Sequence, residues 1–142
     1  MLYTYQHPRP AVTVDCVVFS QLKDETRVLL IQRAQPPFQG SWALPGGFME
    51  IDETVEAAAA RELAEETQLA GITLHQLGTF SRVDRDPRGR VISVAFWGSL
   101  EGTEDQAQAA SDARALRWFP INALPPLAFD HADILDQAKT QL

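Results

Sequence analysis

A chain of 142 residues that is 45% hydrophobic, 22% charged and 8% aromatic has the make-up of one globular domain, and its single cysteine excludes a disulfide scaffold. Nineteen acidic against twelve basic residues give a formal charge of −7, which disfavours nucleic acid as a partner. No apolar run approaches the roughly 20 residues that span a bilayer, and residues 1–10 lack a signal core, so a soluble cytoplasmic domain over 1–142 is expected.

Residues 12–19 and 27–31 are apolar and β-branched, separated by the polar stretch 21–26, and read as two strands. Cys16 lies in the first of them and reads as core, since no cation or helix start is at hand to activate a thiol. The paired prolines of 35–40 force a loop. A short strand at 42–44 runs into Pro45-Gly46-Gly47. Residues 54–69 form the clearest helix: they include four consecutive alanines and no Gly or Pro, with Asp52 or Thr54 near the start. Strands follow at 72–80 and 91–100, flanking a charged loop at 82–90 whose Pro87-Arg88-Gly89-Arg90 is a turn signal. Residues 101–112 read as loop, and 116–119 as a short strand ended by Pro120. A second helix covers 130–141, with Asp130 placed to cap it and His131 in its first turn as ordinary surface. This order favours an α+β fold with a mixed sheet over a simple βαβ repeat.

At about 100° per residue, Val55, Ala58, Ala59, Leu63 and Leu69 share one face of the first helix. Glu62 and Glu66 fall in the middle of that face, and Glu65 sits at its edge. A solvated glutamate run belongs opposite the apolar stripe. Carboxylates gathered on the buried side are costly unless a cation accompanies them, and a hard divalent ion such as Mg²⁺ or Mn²⁺ is the simplest one. Gly46-Gly47 allows close backbone approach, which would let a carbonyl join the coordination shell. Arg61, four residues before Glu65, either orients a carboxylate or forms a surface pair worth only a few tenths of a kcal/mol.

Gly47, Glu53 and the run Arg61-Glu62-Leu63-Ala64-Glu65-Glu66-Thr67-Gln68-Leu69 resemble the Nudix box, G-x5-E-x7-R-E-U-x-E-E-x-G-U, where U is aliphatic. Every fixed position matches except the late glycine, which is Gln68. The resemblance implies an α/β/α sandwich around a mixed sheet, and Mg²⁺-dependent cleavage of a nucleoside diphosphate linked to another group. It also implies Glu62, Glu65 and Glu66 as metal ligands with the Gly46 carbonyl, and Arg61 with Glu53 as the pair that holds the loop to the helix. Because Gly71 follows shortly, the helix is expected to run a little past Gln68.

Divalent ions would neutralise a diphosphate and lower the pKa of a bound water, and a base must take that water's proton. The candidates are Glu62 in the box and Glu101, Glu104, Asp105 or Asp112 beyond it. Arg82, Arg85, Arg88 and Arg90 lie close together with only Asp84 and Asp86 against them. They read either as a solvated hairpin tip or as a phosphate clamp. Tyr3, Tyr5, Phe38, Phe48, Phe80 and Trp97 could stack a base, although a strand aromatic is more often core. The stretches 81–94, 111–113, 117–120 and 127–131 resemble bacterial and archaeal ADP-ribose pyrophosphatases. That likeness implies hydrolysis of ADP-ribose to AMP and ribose 5-phosphate, and a homodimer. The alternatives are a nucleoside triphosphate or dinucleoside polyphosphate pyrophosphohydrolase, or a non-catalytic nucleotide sensor. Regulators related to these enzymes add a DNA-binding domain, and from the length after Pro120 none is expected here.

Overall fold

The computed structural model describes residues 2–109 and 113–142. Seven strands and two α-helices are found among them: β1 (Ala11–Leu22), β2 (Glu25–Arg33), β3 (Trp42–Ala43), β4 (Gly46–Phe48), α1 (Val55–Thr67), β5 (His75–Phe80), β6 (Val91–Ser99), β7 (Ala113–Pro120) and α2 (His131–Lys139). The sheet runs β3-β2-β1-β6-β5, with β4 on β1 and β7 on β2. It is mixed, because β1 and β6 are parallel while the other pairs are antiparallel.

β1 is covered on both faces, which explains the consecutive apolar residues Cys16–Phe19. Val14, Cys16 and Val18 pack with Leu29 against Ala58, Ala59 and Leu63 of α1. Val17 and Phe19 pack with Leu30 against Ile134, Leu135 and Ala138 of α2. Strand alternation therefore puts a helix on each face, the expected α/β/α sandwich. By the same alternation Asp15 falls on the α2 side. β1 pairs with β2 only over 19–22 and with β4 over 13–15, so its first half is left to the Gly46–Phe48 strand.

Thr54 caps α1, its hydroxyl accepting from the Ala57 N–H at 3.1 Å. The helix does not run past Gln68. It stops at Thr67, and Gln68 itself takes the left-handed conformation, φ 63° and ψ 10°, with its N–H on the Ala64 carbonyl at 2.9 Å. The left-handed turn is thus made by a residue that bears a Cβ. The strand expected from 72 begins only at His75. Ile72 and Leu74 do pack on the α1 core, but their backbone makes no ladder, and Gly98 gives the Thr73 carbonyl room to lie against β6. Asp130 precedes α2 as expected, yet its side chain makes no capping bond, because Arg85 takes it.

Candidate active site

A cavity of about 550 Å³ opens between α1, β4 and the loop that follows β5. Glu62, Glu65 and Glu66 of α1 form one wall, brought to Gly46 and Gly47 of β4 by the close approach foreseen for those glycines. A Cβ on Gly47 would lie 2.6 Å from the Glu62 carboxylate, and one on Gly46 would lie 2.0 Å from the Val14 carbonyl. Glu66 is buried, and its Oε1 accepts from the Gly46 N–H at 2.8 Å. Burial pushes its carboxyl up to about 8; the Gly46 bond works against this, and Glu62 and Asp15 add to it. Burial also raises Glu62, with Arg61 working against it.

Arg61 is the cation on this wall. Its Nε donates to Glu53 at 3.0 Å, its Nη2 to the Phe48 carbonyl at 3.1 Å, and its Nη1 to Glu62 at 2.9 Å and Glu65 at 3.2 Å. Glu53 in turn accepts from the Glu50 N–H, so the Arg61–Glu53 pair fastens the loop to the helix. Among the described residues no three acidic, histidine or cysteine side chains converge into a ready-made cage. Glu62 and Glu65 are instead turned to Arg61. The donors are nonetheless the hard oxygens that a divalent cation takes, and buried Glu66 has no ion-pair partner among the described residues.

The opposite wall comes from the loop after β5, the end of β2 and the start of α2, and it separates the four loop arginines. Arg82 and Arg90 do not line the cavity: Arg82 is exposed beside Asp84, and Arg90 donates to the Arg82 carbonyl. Arg85 lines it but is no free clamp. Its guanidinium is buried in a bidentate pair with Asp130, at 2.6 and 2.9 Å, which braces the loop against α2. Arg88 grips Asp86 with two nitrogens and lies 4.7 Å from the Phe48 ring centre and 5.4 Å from that of Phe129. Of the aromatic candidates, Phe48 reaches the cavity. Phe38 packs on Phe129, Phe80 and Trp97 lie against the α2-side core, and Tyr3 stacks on Tyr5.

Among the described candidate bases only Glu62 lines the cavity. Glu104 is held by Ser20 and Arg27, Asp105 is taken by Thr103, and Glu101 lines a separate groove. Asp112 lies outside the described residues.

Three cavity residues, His131, Asp15 and Arg33, were not placed at the site by the sequence reading. His131 is buried, not surface: its Nδ1 accepts from the Leu44 N–H at 3.0 Å, and its Nε2 lies 3.3 Å from Asp15. Asp15 also accepts from the Ser93 hydroxyl. Burial pushes the Asp15 carboxyl up, but His131, Ser93 and Arg85 outweigh this and hold it below its usual value. Arg33, the last residue of β2, is the third. A lone Asp in an apolar strand and a lone Arg at a strand end leave no local pattern; only the fold brings them to one place.

The NUDIX domain family matches residues 9–138. The chain is 46% identical over 131 residues to an ADP-ribose pyrophosphatase of Methanocaldococcus jannaschii, covering 92% of this chain and 73% of that one. It is 36% identical over 140 residues to the ADPR responsive transcriptional repressor NtrR of Acinetobacter baylyi, covering 96% of this chain but only 56% of the repressor. The NUDIX domain of Shewanella oneidensis NrtR, solved with ADP ribose, superposes with a TM-score of 0.87 at 33% identity, covering 95% of this chain and 90% of that one. Likeness of this extent, in sequence and in backbone alike, accounts for glutamates that face inward on α1: the chain belongs to the NUDIX family.

Proposed function

We propose that the chain is a divalent-metal-dependent pyrophosphohydrolase that cleaves ADP-ribose, with water, to AMP and ribose 5-phosphate. One observation carries the metal-dependent chemistry: Glu66 is buried beside Glu62, and among the described residues its carboxylate accepts only from the Gly46 N–H and makes no ion pair. Glu62, Glu65, Glu66 and the Gly46 carbonyl would hold the ion, for which Mg²⁺ is our choice and Mn²⁺ a substitute. When bound, the ion neutralises diphosphate charge and lowers the pKa of the attacking water. Arg61 and Glu53 keep the glutamates in register with β4. Glu62, on the cavity wall and shifted upward by burial, takes the water's proton. A homodimer in the cytoplasm belongs to the same reading. The likeness to the pyrophosphatase, and to the NUDIX domain of Shewanella oneidensis NrtR solved with ADP ribose, supports this substrate.

A screen of ADP-ribose, NADH, dinucleoside polyphosphates and oxidised dNTPs in Mg²⁺, reading AMP or phosphate release, tests the reading. ADP-ribose should turn over fastest. Turnover of a triphosphate with ADP-ribose untouched contradicts it. The likeness to an ADPR responsive repressor favours a second reading, a sensor, which predicts binding of ADP-ribose in Mg²⁺ without any turnover.

A further inference from the structure

Glu104 does not line the cavity, yet three strands take hold of it. It opens the short helical turn Glu104–Gln106 between β6 and β7. Its carboxylate accepts from the hydroxyl of Ser20, a buried residue of β1, and lies 3.3 Å from Arg27 Nε of β2. Its carbonyl accepts from the Trp118 indole of β7 at 3.1 Å. Arg27 is itself directed by the Trp118 carbonyl, to which Nη2 donates at 3.1 Å, and its Nε is sealed from solvent with no hydrogen bond among the described residues. An ion pair arranged for strength alone would align that donor with the carboxylate. The contact achieves something else, a fixed seat for the loop.

The loop is in turn fastened to the helix that carries the site. Ala107 is buried in the same core as Ala59 and Leu63 of α1. The Gln108 N–H donates to the Thr67 carbonyl at 2.8 Å. Thr67 ends α1, so its carbonyl is one that the helix leaves without an internal donor, and the last turn has no basic side chain to supply one. The residue before it is Glu66, whose carboxylate meets Gly46. A continuous line therefore runs from Ser20 through Glu104 and Gln108 to the helical turn that bears Glu65 and Glu66.

We propose that Glu104 is a positioning residue for the α1 glutamates. It locks the 101–108 loop to the sheet, and the loop sets the last turn of α1 where Glu65 and Glu66 face the metal. This deepens the pyrophosphohydrolase reading and rests on its metal site. An acid that the sequence offered as a base acts through the backbone of a helix it does not touch.

Hydrogen exchange of the metal-free protein and Mn²⁺ titration test it together. Glu104→Ala should speed exchange of the Gln68 and Gln108 amides at least tenfold more than that of the Val17 amide in β1, since a general loss of stability moves all three alike. Mn²⁺ binding should weaken about tenfold, the low end for groups that support metal ligands from outside the coordination shell. Glu104→Gln, whose amide oxygen can still accept from Ser20, should recover part of both. Glu25→Gln removes another carboxylate from Arg27 without touching the loop, and should change neither. Amides that quicken only in step with Val17, or an equal Mn²⁺ loss in Glu25→Gln, would overturn the assignment. Tight Mn²⁺ binding by the wild type that Glu104→Ala leaves intact overturns it too, and spares the metal reading. If Glu104→Ala weakens Mn²⁺ binding while the wild type leaves ADP-ribose intact, the substrate reading fails and the positioning role stands.

Discussion

The imidazole of His131, the first residue of α2, accepts a hydrogen bond from the backbone of Leu44, two residues before the glycine that meets the α1 glutamates. The same ring faces Asp15 on β1. One side chain thus ties the second helix, the central strand and the β3–β4 connection together behind the cavity.

Truncating that ring leaves a buried N–H and a buried carboxylate without their partner. His131→Ala should cost about 2–3 kcal/mol of stability by urea unfolding, and weaken Mn²⁺ binding through a displaced Gly46. His131→Asn, whose amide oxygen can replace Nδ1 as acceptor for Leu44, should recover metal affinity better than stability. Equal recovery of both would show that the tie to Leu44 is not what positions Gly46.

Gly47 offers a cleaner separation of site from fold. The atoms nearest its added Cβ would be the carboxylate end of Glu62, a flexible group that can swing away. Gly47→Ala should therefore keep its melting temperature nearly unchanged while losing most Mg²⁺-dependent turnover. A variant that unfolds instead would place the glycine's role in the backbone.

Gln68 holds a left-handed turn, which costs a residue with a Cβ about 1 kcal/mol. Glycine removes that strain but gains freedom in the unfolded chain, so the two effects partly cancel. Gln68→Gly should stabilise by about 0.5 kcal/mol, and Gln68→Val should destabilise by more than 1 kcal/mol, read from unfolding midpoints. Loss of stability in the glycine variant would contradict the strained cap.

The folded metal-free protein holds Glu66 near 8 against a usual 4.5, so its neutral form is favoured. That stability is whole below about pH 4.5 and is lost as pH rises through about 8. Asp15, Asp86 and Glu53, all held low, act oppositely and only at acid pH, losing their contribution as pH falls through their folded values. Metal-free thermal stability should decline from about pH 5 to 8, and saturating Mg²⁺ should raise the melting temperature more at the upper end. Glu66→Gln should flatten both trends; an unchanged slope would contradict the assignment.

The sandwich was legible because β1 and α1 carry their patterns in consecutive residues, and inward glutamates break a helical stripe in plain view. The helix end was misplaced at Gln68 because φ is set by the tertiary turn and not by the residue's preference. Arg85 and Asp130 were read separately, as a clamp and a cap, although they form one pair 45 residues apart. His131 lies in a helical first turn that is solvent-exposed on most helices, and only the neighbouring Leu44 and Asp15 show why this one is buried.

The central claim is that Glu66 and its neighbours are tolerated inside because a divalent ion joins them. Titrating Mn²⁺ into the wild type and Glu66→Gln, followed by the loss of free-ion paramagnetic signal, addresses it directly. The account predicts stoichiometric binding to the wild type that weakens at least tenfold in the variant, together with loss of AMP release from ADP-ribose. Equal Mn²⁺ binding by both proteins would contradict it.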